Sequence, residues 1–391
     1  MLMDNAKEII GKVFNELADA LEKGEYGKKV RVGLTTLGSE HGVEELVRAG
    51  EMAQRKFNDI EVVLIGDAPN TDLKVYPTSC EADMHRIMEE LLEKGEIDAC
   101  VTMHYNFPLG VSTVGRVITP GFGKELTIAT TTGTSSANRV EAMVKNAIYG
   151  IIVEKAIGNP EPTVGILNVD GARQVERILK ELASNGYPIK FAESMRSDGG
   201  CVMRGNDLLA ASSNVMVTDT LTGNLLIKIF SAFTTGGNYE SIGYGYGPGI
   251  GEGFNKLILI LSRASGAPVA VNAIRYAADL VKGKVLEIAR KEFELANKAG
   301  LKAILERETK KSQDEPREIK MPPKKVVTSE ISGIDILELE NAVKTLWKNH
   351  IYAESGMGCT GPIVLVSPED LEKALDILKS NGFIGHEFKG C

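Results

Sequence analysis

Apolar residues run along this chain in two alternating rhythms. Short β-type runs at Val30–Thr36, Glu61–Ile65, Ala99–Met103 and Leu126–Thr130 are separated by segments, 42–56 and 81–94, whose apolar positions recur every three or four residues. A longer helical pattern from Asn138 to Ile157 ends at Gly158-Asn159-Pro160, a stop signal. The alternation resumes with a strand at Thr163–Val169, a helix over 172–185, strands at Ile189–Ala192 and Val215–Thr218, and a helix over 221–233. Strands alternating with helices predict βαβ units. The expected fold is therefore α/β, with a mostly parallel sheet and helices on both faces. A helical stretch from about Val269 to Lys311 closes this body, and residues 4–23 predict an amphipathic helix ahead of it.

The rhythm breaks after Lys311. The run from Ser312 through Pro316 to Lys325 is charged, proline-bearing and aperiodic, which reads as a surface linker. Beyond it the pattern predicts a small αβα module: a helix over 334–349, a glycine-rich loop, a strand at Ile363–Val366 and a helix over 368–381. Ser367-Pro368-Glu369 gives that last helix a cap, a first-turn proline and an early acid. The expected organisation is an N-terminal helix (1–29), an α/β body (30–311), a linker (312–330) and a C-terminal module (331–391).

Composition narrows the function. Net charge is −8 and no long Lys/Arg stripe occurs, which argues against nucleic acid as a partner. The longest apolar runs, such as Leu257–Leu261, are far too short to span a bilayer. The first residues lack the apolar core of a signal peptide, so the expected location is cytoplasmic. Five dispersed cysteines with no CxxC or Cys/His cluster argue against a zinc site, an iron–sulfur cluster or a disulfide framework, so no metal site is expected.

One of those cysteines stands apart. Cys359 lies in Glu354-Ser355-Gly356-Met357-Gly358-Cys359-Thr360-Gly361-Pro362, where glycines leave little bulk around the sulfur and let the backbone approach a substrate. That setting fits a nucleophile for acyl chemistry, and equally a small residue in a tight turn before a strand. Cys100 sits in an apolar run and reads as core; Cys201, after Gly199-Gly200, is a second, weaker candidate.

Two strand-to-helix turns offer a place for an anion. In Thr130-Thr131-Thr132-Gly133-Thr134-Ser135-Ser136-Ala137-Asn138, hydroxyls and amides of Thr131, Thr132, Ser135 and Asn138 converge on a helix start. In Thr218-Asp219-Thr220-Leu221-Thr222-Gly223-Asn224 the same arrangement recurs with Thr218, Thr220, Thr222, Gly223 and Asn224, and Lys228 follows one to two turns into the helix. Ligands of open α/β sheets bind at strand C-terminal ends, which suits both turns; either also reads as a capped turn without ligand. The segment Gly243–Gly253 fits no GxGxxG register and no Walker A loop, and is expected to be a flexible, backbone-rich lid. His104, after a strand end, and His350, at a helix end, are candidate bases.

The stretch Thr163-Val164-Gly165-Ile166-Leu167-Asn168, followed by Val217–Asn224 and Lys228, resembles the bacterial phosphate acyltransferases of phospholipid synthesis (PlsX), over roughly residues 30–305. Thr220 stands where that family has glycine. Over its full length, with the thiol in Gly356-Met357-Gly358-Cys359-Thr360-Gly361, the chain resembles the alpha-subunit family of protein C of the clostridial glycine reductase system, which carries a PlsX-like body.

That resemblance implies a PlsX/isocitrate-dehydrogenase-like body and a specific chemistry. Cys359 would carry an acetyl thioester formed from a carboxymethyl selenoether on selenoprotein A. Inorganic phosphate would release it as acetyl phosphate, with no cofactor. The implied partners are a ketoacyl-synthase-like beta subunit and selenoprotein A, giving a hetero-oligomer within the glycine/sarcosine/betaine reductase complex. Two other readings remain: a stand-alone phosphate acyltransferase acting on acyl-carrier protein, and a scaffold subunit without chemistry of its own.

Overall fold

The computed structural model describes residues 14, 29–196, 199–313, 321–358 and 361–384, in which fifteen strands form two sheets. The expected N-terminal helix lies almost wholly outside these residues. In the large sheet, β1 (Val30–Thr35) is flanked on one side by β2 (Ile60–Ile65) and β3 (Lys74–Tyr76). On the other side lie β4 (Ala99–Thr102) and β12 (Ile258–Ile260), and all five strands are parallel. A second parallel set comprises β6 (Glu125–Thr134), β10 (Val215–Val217) and β7 (Thr163–Leu167), with β8 (Lys190–Phe191) and β9 (Val202–Met203) attached to β7. The apolar runs of β2 and β10 are what a sheet covered on both faces requires, whereas β6 is rich in threonine. The fold is the expected mostly parallel α/β sheet with helices.

Two strands absent from the sequence reading join these sets. The first is β5 (Val111–Ile118), antiparallel to β6; its Ser, Thr, Gly and Arg dilute any apolar signal. The second is β11 (Gly247–Ile250), antiparallel to both β12 and β5. This corrects the expected lid: part of the glycine-rich segment is a buried central strand. A Cβ on Gly247, at φ +82°, would stand 1.8 Å from the Val114 carbonyl oxygen, so a side chain there would part the strands. Three reversals across β12, β11, β5 and β6 turn the second set against the first. The two sets therefore open their strand C-terminal ends in opposite directions.

The helical stretch expected over 269–311 is three helices, Ala267–Lys282, Val285–Lys298 and Leu301–Gln313, separated at Gly283 and at Gly300. The Arg139–Ala156 helix is capped as its sequence predicts, with Asn138 Oδ1 accepting from the Glu141 amide at 3.0 Å. It is buried along most of its length. Glu292, 5 % exposed, joins the packed layers: it accepts from Lys155 Nζ at 2.6 Å and from the Tyr187 hydroxyl at 2.8 Å. Removing one partner of a buried charge network strands the others. Glu292→Ala is expected to reduce stability by about 2–3 kcal/mol, seen as a lower denaturation midpoint at unchanged slope. An unmoved midpoint would show the network to be neutral.

Residues after 321 build a three-stranded antiparallel sheet, β13 (Ser329–Ser332), β15 (Gly361–Val366) and β14 (Ala353–Gly358), with its own apolar cluster. The helices Leu339–Lys348 and Leu371–Ser380 contribute to that cluster. The sequence reading gave this region one strand. The Glu354–Gly358 run expected as loop is most of β14, paired with β15 from Ala353↔Val366 to Gly358↔Gly361. The last two residues of the expected linker, Ser329 and Glu330, open β13. Among the described residues no helix is long and apolar enough to cross a membrane.

Candidate functional site

The two strand-to-helix turns expected to hold an anion are brought together. β6 and β10 are neighbours, so the Thr130–Asn138 and Thr218–Asn224 segments meet at their C-terminal ends. Gly223 makes the approach possible: a Cβ there would lie 1.8 Å from the Thr130 carbonyl oxygen. Along the Thr220–Ala232 helix, residues four apart share one face, and three of them act in series. Thr220 Oγ1 donates to Gly133 O at 3.3 Å, Asn224 Nδ2 to Thr131 O at 3.0 Å, and Lys228 Nζ to Ser262 Oγ at 3.2 Å. The first two grip the bulged end of β6. The third crosses to the loop after β12, so the helix face lines the seam between the two strand sets.

Most hydroxyls at these turns are spent on the protein itself. Thr131 Oγ1 donates to Tyr246 O at 2.8 Å, and Ser135 Oγ donates to Asn146 Oδ1 at 2.8 Å. Thr222 Oγ1 donates to Asp219 Oδ2 at 2.6 Å. Asn138 is occupied as a helix cap, and the Thr218 carbonyl accepts from Asn146 Nδ2 at 3.2 Å. The Thr218 hydroxyl is buried without a partner among the described residues. Among the described residues, the hydroxyls of half-buried Thr132 and exposed Thr134 have no hydrogen-bond partner in the protein. These residues fasten the turns more than they advertise donors.

Charge is arranged unevenly along the seam. At the helix start, Arg139 reaches Asp219 Oδ2 at 3.1 Å and Asp170 Oδ2 at 3.6 Å. Burial works to raise the Asp219 carboxyl, but hydrogen bonds from Thr222 and the Arg139 guanidinium outweigh it and hold it below the usual carboxylate range. Two turns on, Lys228 is half exposed, 3.7 Å from the buried carboxylate of Glu240. Burial works to lower its ammonium; Tyr246 and Glu240 prevail, raising it and keeping it charged. Glu240 is itself fixed by Ser265 Oγ at 2.9 Å. The β1 loop closes this end, with Glu40 N donating to Arg263 O at 2.9 Å and His41 Nε2 lying 3.1 Å from Ala264 O. The result is a crevice at the strand ends of the first set, where open α/β sheets take their ligands.

Ser262, Glu240, Arg139 and Asp170 were missed by sequence reasoning. The signal was available in part: the polar turns Thr35–Gly42 and Ser262–Gly266 each follow an apolar strand, as the two chosen turns do. His104 is exposed after β4, its ring 6.4 Å from that of His85. His350 sits at φ +60° after the Leu339–Lys348 helix, its amide donating to Trp347 O at 3.0 Å. It belongs to a helix end in the C-terminal part. Cys201 is buried; burial, with the Glu176 carboxylate adding to it, pushes its thiol up to about 12. Such a thiol is a poor nucleophile at neutral pH. Cys359 and Thr360, which separate the paired Gly358 and Gly361, lie outside the described residues.

The C-terminal part docks beside the turns. Asp335 accepts from the amides of Gly171 at 3.1 Å and Arg173 at 3.2 Å, so a carboxylate from the small sheet caps the Ala172–Ser184 helix. Arg177 Nη1 donates to Gly382 O at 3.4 Å, and Gln174 binds Glu338. Asp170, next to Gly171, is held by the same Arg139 that holds Asp219. Ser332 pairs with Ile363, two residues from Gly361 on β15. The Gly358–Gly361 end of the hairpin is thus the end of the small sheet from which Asp335 departs.

A doubly set α/β sheet with glycine-tightened strand-end turns defines the class. The chain belongs to the family described as "Fatty acid synthesis protein", which matches residues 30–365. Within it, the chain belongs with the component C alpha subunits of glycine/sarcosine/betaine reductase complexes. It is 61 % identical to that subunit of Peptoclostridium acidaminophilum over 385 residues, covering 98 % of this chain and 100 % of the relative. A phosphate acyltransferase of Geobacillus sp. (strain WCH70) is 24 % identical over 238 residues, 51 % of this chain and 70 % of that protein. A solved branched-chain phosphotransacylase from Enterococcus faecalis V583 aligns at TM-score 0.45 and 14 % identity, over 64 % of this chain and 99 % of that one.

Proposed function

We propose that this chain is the acyl-transferring alpha subunit of a glycine, sarcosine or betaine reductase complex. An acetyl group is carried as a thioester on Cys359. Hydrogen phosphate attacks its carbonyl carbon, the C–S bond breaks, and acetyl phosphate leaves while the phosphate's proton passes to the thiolate. The group arrives from a carboxymethyl selenoether on a selenoprotein partner, with a ketoacyl-synthase-like beta subunit assisting. The C–Se bond breaks, the methylene carbon takes up a proton and becomes methyl, and selenium and a partner thiol are oxidised together to a selenenyl sulfide. The carboxyl group condenses with the Cys359 thiol with loss of water. The step draws on phosphate as substrate and on no cofactor.

The observation that carries the reading is the end-to-end 61 % identity to a component C alpha subunit, which includes the small sheet as well as the acyltransferase-like body. The geometry supports it in two respects. Phosphate is assigned to the Lys228 crevice, because the ammonium there is half exposed beside the Ser262 hydroxyl at a strand-end site. The turn at Arg139 is less suited, since Asp170, Asp219 and the docked Asp335 surround it with carboxylates. The small sheet docks at the N-terminal end of the Ala172–Ser184 helix, and Arg139 links Asp170 there to Asp219 at the start of the helix that bears Lys228.

Acetyl phosphate supplied to the purified chain with its beta partner should give hydroxylamine-labile acetylation of the Cys359 peptide, read by mass spectrometry. Lys228→Ala should slow that labelling about 10²-fold, chiefly through weaker phosphate binding, when measured well below the melting point. Acetylation on another cysteine would move the site. Full-rate labelling of Lys228→Ala would remove phosphate from the crevice.

A further inference from the structure

Glu240 is a charged group of the Lys228 crevice to which the proposed reaction gives no part. It lies on the loop after the Thr220–Ala232 helix and is only 2 % exposed, so its carboxylate is largely withdrawn from water. The backbone holds it in place: Glu240 N donates to Ala264 O at 3.0 Å, and Glu240 O accepts from Gly266 N at 2.9 Å. One carboxylate oxygen, Oε2, accepts from Ser265 Oγ at 2.9 Å. The other, Oε1, accepts no hydrogen bond from a described residue and faces the half-exposed Lys228 ammonium at 3.7 Å, beyond hydrogen-bond reach. A buried carboxylate oxygen left without a donor is costly, and the crevice is where a donor can enter. We propose that Glu240 Oε1 determines the specificity of the crevice: it accepts the P–OH hydrogen of a protonated oxyanion, so phosphate is admitted and sulfate is turned away. This rests on the assignment of phosphate to Lys228.

Phosphate and sulfate are tetrahedral and nearly equal in size, so shape alone sorts them poorly. They differ in protons: at neutral pH inorganic phosphate keeps at least one P–OH, whereas sulfate keeps none. A fixed carboxylate converts that proton into a charge-assisted hydrogen bond, about twice as strong as a neutral one. The same oxygen meets unprotonated sulfate as a like charge, in a site where burial leaves repulsion weakly screened. The other polar groups of the crevice do not make this distinction. Lys228 attracts either anion, and Tyr246 beside it stays neutral, its hydroxyl pushed up by burial. Glu40 also acts on Lys228, but it is exposed and hydrated on the β1 loop. Nor can Glu240 readily swing aside. Ser265 Oγ, which holds it, accepts in turn from Ser262 N at 3.2 Å, tying Glu240 to the residue that holds Lys228.

Equilibrium dialysis of the full chain against radiolabelled inorganic phosphate at neutral pH reads the site without any turnover. Arsenate, which keeps a proton as phosphate does, should displace the label at similar concentration. Sulfate should need a concentration at least about 30-fold higher. Glu240→Gln presents an amide that donates as well as accepts, so discrimination against sulfate should fall at least about tenfold. A merely structural Glu240 would weaken both anions together and leave their ratio alone. Should Glu240→Gln fail to fold, Glu240→Asp keeps the charge and withdraws it by one methylene; phosphate should then bind about tenfold more weakly while sulfate stays excluded. Wild-type chain that binds the two anions alike, a folded Glu240→Gln that still discriminates, or a Glu240→Asp with wild-type phosphate affinity would each overturn the inference. Lys228→Ala separates its failure from that of the crevice. Undiminished phosphate binding by that variant, or none by the wild type, refutes the phosphate assignment and Glu240 with it. Weakened binding there, with wild-type discrimination in Glu240→Gln, refutes Glu240 alone.

Discussion

Cys359→Ala is expected to reduce acetyl phosphate formation by at least about 10⁴-fold, to the level of the assay without the subunit. The reasoning is chemical. Thioester phosphorolysis needs a leaving group that departs as a thiolate, and alanine offers no atom to acylate. The other described thiols offer no substitute. Cys100 is fully buried and its thiol is pushed far up by desolvation. Cys201 is buried beside the Glu176 carboxylate, which opposes a second negative charge. Cys80 is exposed but stands on the first strand set, before the Glu81–Glu93 helix. Cys80→Ala should therefore leave turnover intact.

Cys359→Ser distinguishes the carrier role from a merely structural one. A serine nearly preserves the size of the residue after Gly358 and can form an ester, but an alkoxide leaves far less readily than a thiolate. The serine variant should accumulate a hydroxylamine-resistant acetyl group if it is charged at all, and release acetyl phosphate no faster than the alanine variant. Wild-type rates in either variant would sink the thioester and leave the phosphate acyltransferase or scaffold readings. Single-turnover measurement of acetyl phosphate from pre-acetylated chain, with phosphate varied, is the cleanest readout, because it separates charging of the thiol from its discharge.

Most of the longer parallel strands were legible because burial on both faces writes them as apolar runs, as at Glu61–Ile65 and Val215–Val217; the three-residue strands β3 and β12 and the two-residue β9 were too short to assign. The strands that join the two sets were not. β11 has no side-chain rhythm to read, since its glycines are there to let Val114 and Phe107 come close. In β5, hydroxyls such as Thr113 bond to the neighbouring turn and conceal the strand pattern. The candidate turns were legible as strand ends, yet their crowded hydroxyls belong largely to the packing of one turn on the other. Thr220 spends its hydroxyl on Gly133 O. Lys228 was recognised, but its partners Ser262 and Glu240 lie far along the chain, and no local pattern joins them. Asp335 caps its own short helix, accepting from the Leu337 amide at 2.9 Å. Its second role, capping the Ala172–Ser184 helix, depends on how the small sheet docks.

Gly223→Ala is the substitution for which local propensity and tertiary contact predict opposite signs. Alanine is the better helix former, and in an exposed helix the exchange would stabilise by up to about 1 kcal/mol. Here the added methyl meets the Thr130 carbonyl oxygen at 1.8 Å and the carbonyl carbon at 2.9 Å, both backbone atoms of a central strand. Neither side can yield cheaply: Thr130 lies in β6, and Gly223 sits in a turn fixed by Asp219 and Thr222. The helix must lift from the sheet, breaking the Asn224–Thr131 and Thr220–Gly133 bonds and carrying Lys228 away from Ser262. The expected result is a loss of about 3 kcal/mol in denaturant unfolding, at the upper end of overpacking effects. Acetyl transfer, measured well below the melting point, should fall about 10²-fold because a displaced helix moves the phosphate-binding ammonium by an ångström or more. A stabilised, fully active Gly223→Ala would mean that the helix does not touch β6, and the seam with its Lys228 crevice would have to be abandoned.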